Sequence, residues 1–156
     1  MKSISKFIVC LLICFGAAAV GGLFTAMSVN TWYAQIIRPD FSPPNWVFAP
    51  VWNVLYFLMS VALYQVWVSE KQKYKNIAIA AFAGQLLLNV AWSAVFFGLR
   101  SPVAGFFVII ILLMAIIFTI FTFYRISEKT AWLLFPYLAW VSFASYLNYY
   151  LMILNR

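Results

Sequence analysis

The chain has 156 residues, 67% of them hydrophobic and 8% charged, with 10 Lys and Arg against 3 Asp and Glu and a formal charge of +7. A soluble domain of this length leaves too much of its surface in water to hide that many apolar side chains; with a mean hydropathy of +0.99, lipid must be the solvent for most of it. The positive charge invites nucleic acid as a partner, but the cations flank apolar runs, where they anchor membrane helices, and no nucleic-acid-binding pattern is present.

A bilayer core of ~30 Å needs about 20 apolar residues per helix. The sequence divides into five such runs, which predicts an all-α membrane protein: one five-helix transmembrane domain over residues 1–156. The first span is expected at 7–29. Lys2 and Lys6 before an apolar core, with Ala17-Ala18-Ala19 beyond it, resemble a signal peptide, but the apolar run continues past that point, as a retained helix does. Ala17 and Gly21, and Ala18 and Gly22, stand four apart and make a surface for close helix contact, inside the bundle or across a homodimer. Cys10 and Cys14 lie on this same helix, a poor geometry for a disulfide and no metal motif, so they read as packing residues.

Residues 30–45 form a long loop rich in proline and aromatic side chains, with Arg38, Asp40, Ser42 and Asn45 as its polar members. So aromatic a loop is costly to leave in water. It is read as a lid over a cavity built by the helices that follow. Pro43 and Pro44 suit the start of the second span, 46–68, because a first helical turn leaves its N–H groups unpaired anyway. Pro50 removes the donor for the carbonyl of Trp46 and is expected to bend that span.

Ser69 to Asn76 is the most polar segment and reads as a solvent loop. The third span is expected at 77–97, with Gly98 as a C-cap and Ala80 and Gly84 repeating the small-residue spacing. Ser101-Pro102 caps and starts the fourth span, 102–124, which is nearly featureless and carries no chemistry. After a short loop at Arg125 to Thr130, the fifth span is expected at 131–154, bent near its start by Pro136. The N-terminus and the second and fourth loops share a side and hold Lys2, Lys6, Lys71, Lys73, Lys75, Arg125 and Lys129, against Arg38, Arg100 and Arg156 on the other. The positive-inside rule then puts the N-terminus of this multi-pass cell-membrane protein in the cytoplasm.

Conventional catalysis has little to work with. There is no His, and the acids Asp40, Glu70 and Glu128 fall at opposite ends of the spans, so no carboxylate pair converges. No ionisable acid or base lies deep in a span, as a proton relay or ion path requires. No metal site and no cofactor are expected.

Polar side chains inside the spans are more informative. Gln85, Asn89, Ser93 and Phe96 form one stripe on the third span, with Trp92 beside it. Trp140, Ala144, Leu147 and Asn148 form another on the fifth, with Ser145 alongside, and Trp46, Pro50, Asn53 and Phe57 a third on the second span, flanked by Trp52 and Tyr56. Amides in hydrocarbon find partners or line a cavity. They are interhelical glue on one reading and cavity lining on the other. Trp32, Trp67 and Trp132 suit an interfacial belt. Trp52, Trp92 and Trp140 accompany polar groups instead, and an aromatic pocket with a few amides suits a large, flat, mostly apolar ligand.

These residues carry a family resemblance. The runs WYAQIIRPDFSPPNWVFAPVWNVLY, GQLLLNVAWSAVFFG and PYLAWVSFASYLNYY resemble the translocator protein family, also called tryptophan-rich sensory proteins or peripheral benzodiazepine receptors. The resemblance covers the loop and the second, third and fifth spans; the first and fourth match only in being hydrophobic. It implies a five-helix membrane bundle, often a homodimer, that binds tetrapyrroles such as protoporphyrin IX and benzodiazepine-site ligands. It further implies that some bacterial members promote light-dependent oxidative breakdown of the porphyrin. Carried over by motif, the pocket uses Tyr33, Pro43, Trp46, Pro50, Trp52, Asn89, Trp92, Trp140, Ala144 and Leu147, with Trp52 and Trp140 matching the breakdown chemistry. The alternatives are a transporter of porphyrins or other apolar ligands, and a structural partner protein. Leu147, Tyr150 and Arg156 meet the animal sterol pattern only loosely, with the basic residue further along, and sterol binding is not claimed. Without His, and with both Cys early in the first span, a haem lacks its usual axial ligands, so metal-free porphyrin fits better. Arg38 meets a propionate of that ligand on one reading and pairs with Asp40 at the interface on the other.

Overall fold

Hydrocarbon offers a backbone no water to bond to, so each apolar run must satisfy its own N–H and C=O groups as a helix. The computed structural model describes residues 3–156, and they follow that rule: five helical segments are long and apolar enough to cross a bilayer. They are α1 (Ser3–Ser28), α3 (Asn45–Val68), α4 (Gln72–Ser93) with a π-helical turn at Ala94–Gly98, α5 (Pro102–Tyr124), and α6 (Glu128–Trp132) continuing into α7 (Phe135–Leu154). One short turn of helix, α2 (Trp32–Gln35), lies within the lid. Lys2, counted among the topology-setting cations, lies outside the described residues.

The strongest packing is between α4 and α5, α1 and α3, and α5 and α7, with α1 also against α4. The order around the bundle is therefore α3, α1, α4, α5, α7. Between α7 and α3, the last neighbours in that ring, there is little contact along the spans. The main core fills the half of the bundle nearer the N-terminus: Met59, Ala62 and Val66 of α3 meet Cys10 and Cys14 of α1, and Phe82 of α4 stacks on Phe123 of α5 at 5.9 Å. At that end Lys71 Nζ donates to the carbonyl of Ile126 (2.8 Å), so a cation from one loop caps the end of the neighbouring one.

Proline behaves differently at its three helical sites. Ser101 caps α5 by accepting from the Ala104 N–H (3.2 Å), with Pro102 in the first turn, as the sequence predicts. Pro50 sits early enough in α3 that the helix runs unbroken through it. Pro136 does more than bend its span. It has no N–H to donate back toward Trp132, and the chain ends α6 there, passes through Leu133 and Leu134, and starts again as α7 with the proline in its first turn. The expected single bent helix is corrected to two.

Gly98 is also corrected. It is not a left-handed cap: no described glycine has a positive φ, and the left-handed residue between α4 and α5 is Arg100 (φ 55°). Gly98 is small for another reason, since a Cβ there would lie 3.0 Å from the Phe24 ring of α1. Gly21 does the same for α1 against Ser93 of α4, so part of the small-residue face of α1 is spent inside the bundle. The tightest crossing is at Gly105 of α5, where a Cβ would stand 2.8 Å from Phe96 and 3.2 Å from Asn148 Oδ1. Phe96 is buried and cannot swing aside. Gly105→Ala is expected to destabilise the bundle by about 1–3 kcal/mol. Gly16→Ala on α1, where nothing lies within 4 Å, is expected to be neutral or slightly stabilising. Thermal unfolding of both variants in detergent checks the contrast.

Candidate functional site

Above the core the helices part around a cavity of about 430 Å³. Small residues make room on α1: Ala18, Gly21, Gly22 and Ala26 leave space where larger side chains would fill it. Across from them α3 supplies Ala49, Trp52, Asn53 and Tyr56, α4 supplies Asn89, Trp92 and Ser93, and α7 supplies Trp140 and Ala144. No lining residue comes from α5, in keeping with its featureless sequence.

The indoles are set by their neighbours. Trp52 lies between Tyr56 (5.5 Å between ring centroids) and Tyr137 (6.2 Å). Trp92 stacks on Phe96 at 5.2 Å and donates its Nε1–H to Asn148 Oδ1 (3.1 Å). Trp140 meets Phe48 edge-on at 5.9 Å. Asn148 completes the support by donating Nδ2–H to the carbonyl of Pro102 (2.8 Å), tying α7 to the first turn of α5.

The cavity floor is polar and tightly paired. Tyr56 Oη donates to Asn89 Oδ1 (2.7 Å), Asn89 Nδ2 donates to Tyr137 Oη (2.9 Å), and Tyr137 donates to Gln85 Oε1 (2.9 Å). Three helices are joined by four side chains. Gln85 is 1% exposed and its Nε2 is left without a partner. The stripe expected on the third span is thus real and faces inward, and both readings of its amides apply: Asn89 is interhelical glue and cavity lining at once. The π-helical turn follows this stripe, with Leu99 N–H reaching back to Ala94 O (2.9 Å), and it leaves the carbonyl of Phe97 to accept from Ser28 Oγ (2.6 Å).

The lid is fastened at both ends. Tyr33, on α2, is buried against Phe96 and Phe97. Burial pushes the Tyr33 phenol up from its ordinary value against the pull of the Arg38 charge, so it stays neutral at physiological pH. Asn155, just beyond α7, holds Ile37 twice: its Oδ1 accepts the Ile37 N–H and its Nδ2 donates to the Ile37 carbonyl, both at 2.9 Å. Phe41 stacks on Tyr146 and meets Tyr150 edge-on, each at 5.3 Å. Arg38 is held by Asn45 Oδ1 (3.2 Å) and lies over the Tyr33 ring (5.3 Å) rather than pairing with Asp40. Because Asn45 and Tyr33 both line the cavity, the guanidinium stands at its mouth.

Of the ten residues singled out in the sequence, the cavity brings together Tyr33, Trp52, Asn89, Trp92, Trp140 and Ala144. Pro43 and Pro50 instead line an apolar groove of about 730 Å³ between α3 and α7, which shares Trp140 with the cavity. Trp46 is 74% exposed, and Leu147, 5% exposed, packs beside Tyr33, Phe96 and Phe97. Sequence reasoning left out Ala18, Gly21 and Gly22 as cavity walls; their small size was legible, but it was assigned to helix contact.

An intramembrane cavity walled by indoles, floored by a phenol–amide chain and roofed by a pinned loop defines a class: a multi-pass helical membrane protein built around an apolar ligand-sized space. The chain belongs to the TspO/MBR family, whose model matches residues 9–154. It is 40% identical over 155 residues to the tryptophan-rich protein TspO of Chlorobaculum tepidum, covering 99% of this chain and 98% of the relative. It is 44% identical over 153 residues to that of Archaeoglobus fulgidus (98% and 99%). It is 38% identical over 134 residues to the translocator protein of Homo sapiens (83% and 78%).

Asn89→Leu removes the acceptor of Tyr56 and the donor to Tyr137. Hydrogen bonds of this kind within membranes contribute roughly 1 kcal/mol each, so the variant is expected to unfold at lower temperature in detergent, by a few degrees.

Proposed function

We propose that this protein is a membrane receptor that binds metal-free tetrapyrroles, protoporphyrin IX in particular, in its intramembrane cavity, and handles or reports on them. Benzodiazepine-site ligands compete for the same space. The observation that carries the reading is that Trp52, Trp92 and Trp140 face one cavity. Its volume falls within the ~300–1,000 Å³ usual for small-molecule sites, and flat conjugated rings gain from stacking on indoles. Arg38 at the mouth supplies a cation for a propionate. The receptor sits in the cell membrane with its N-terminus in the cytoplasm and the lid outside, and a homodimer forms through exposed small residues such as Ala80 and Gly84 on α4.

A second reading is favoured by one detail. Trp52 and Trp140 share the cavity wall, so a porphyrin excited by light in their presence reacts with dioxygen as oxidant beside two oxidisable indoles. Illumination of the bound porphyrin should then bleach its absorbance faster in the parent than in Trp52→Phe/Trp140→Phe. Equal decay leaves binding alone.

Binding is read by quenching of tryptophan fluorescence on titration with protoporphyrin IX. The parent should quench saturably, and Trp140→Ala should bind about tenfold more weakly, the loss of one stacked ring and its buried area. Linear, unsaturable quenching by the parent overturns the proposal.

A further inference from the structure

Five carboxamides stand within the apolar stretches 46–68, 77–97 and 131–154, and four of them are engaged. Gln65 Oε1 accepts from Thr130 (2.6 Å), Gln85 Oε1 accepts from Tyr137, and Asn148 bridges Trp92 and Pro102. Asn89, the amide singled out for ligand contact by family resemblance, gives its oxygen to one phenol and its nitrogen to another, and is 2% exposed. The fifth is Asn53. It lies eight residues after Asn45, the first residue of α3, or about 12 Å along the axis, well inside the apolar layer. It is exposed and lines the cavity beside Trp52 and Tyr56. Among the described residues neither its oxygen nor its nitrogen has a hydrogen-bond partner. Asn30 and Asn45 also line the cavity, but from the lid and from the very start of α3, and Asn45 is held by Arg38.

A carboxamide in hydrocarbon with both ends unbonded is strongly disfavoured unless something else supplies the bonds. We propose that Asn53 is the residue with which the cavity reads the polar edge of its ligand, and that it selects flat conjugated molecules carrying a lactam or amide. This rests on the cavity being the ligand site. A carboxamide presents a donor beside an acceptor. A lactam presents N–H beside C=O, the complementary pair, so the two groups close a ring of two hydrogen bonds. The carbon rim of a closed macrocycle offers neither partner. Propionates are served separately, by Arg38 at the mouth, so Asn53 distinguishes ligands that Arg38 does not.

A matched pair of probes isolates the effect. Protoporphyrin IX and biliverdin IXα both carry two propionates, and biliverdin alone ends in lactams. Quenching titrations on the full chain in detergent give an affinity for each. Asn53→Leu is expected to weaken biliverdin about tenfold and protoporphyrin by less than about twofold. Asn53→Gln should restore most of the biliverdin affinity, and the thermal midpoint of Asn53→Leu should equal or exceed that of the parent, because no internal bond is lost. Equal biliverdin affinity in the parent and Asn53→Leu, equal weakening of both probes, or binding of protoporphyrin without biliverdin by the parent overturns the role of Asn53. Saturable binding of neither probe by the parent overturns this role and the receptor reading together.

Discussion

Everything above the core depends on a chain of hydrogen bonds that crosses the bundle from Tyr56 through Asn89 and Tyr137 to Gln85. In hydrocarbon these groups have few other partners. The chain therefore sets how close α3, α4 and α7 stand at one level of the membrane, and the helices are free to part only beyond it. Below it, apolar side chains fill the interior, from Met59 to Phe123. At it and above it, Trp52, Trp92 and Trp140 are held as walls with space between them. The same four side chains thus mark where packing ends and the cavity begins.

This division explains why the helices differ so much in sequence. α5 has no polar group on the cavity and can be an almost uniform run of large aliphatic and aromatic residues. Its one demanding position is Gly105, where Phe96 and Asn148 press against its backbone. α1 needs small residues twice over, against Ser93 and beside the empty space. α3, α4 and α7 carry the amides and indoles because they face one another across the void. The apolar groove between α3 and α7 follows from the same geometry: the two helices bound the cavity without closing on each other, and Trp140 stands in both spaces.

Much of this was legible in the chain because membrane helices obey strong one-dimensional rules. Apolar length placed the five spans, Ser101-Pro102 marked the start of α5, and helical spacing aligned Gln85, Asn89, Ser93 and Phe96 on one inward face. What stayed hidden required three-dimensional bookkeeping. Spacing tells that Asn53 and Asn89 both face inward, but only the positions of Tyr56 and Tyr137 show that Asn89 is already engaged. Trp46 and Trp52 are alike in the sequence, and the turn of α3 sends one outward and the other into the cavity. The π-helical turn at Ala94–Gly98 has no local signature; the wedging of Phe24, Phe96 and Phe97 around it is tertiary. Gly98 looked like a helix terminator, yet its small size serves a neighbouring ring.

The clasp between Ile37 and Asn155 joins residues 118 positions apart. During synthesis the loop emerges early, and one of its fastenings belongs to a residue just beyond the last helix. Tyr33 can settle on Phe96 and Phe97 as soon as α4 is made, but the clasp at Ile37 has to wait for α7, so the vault's roof is completed from its two ends at different times.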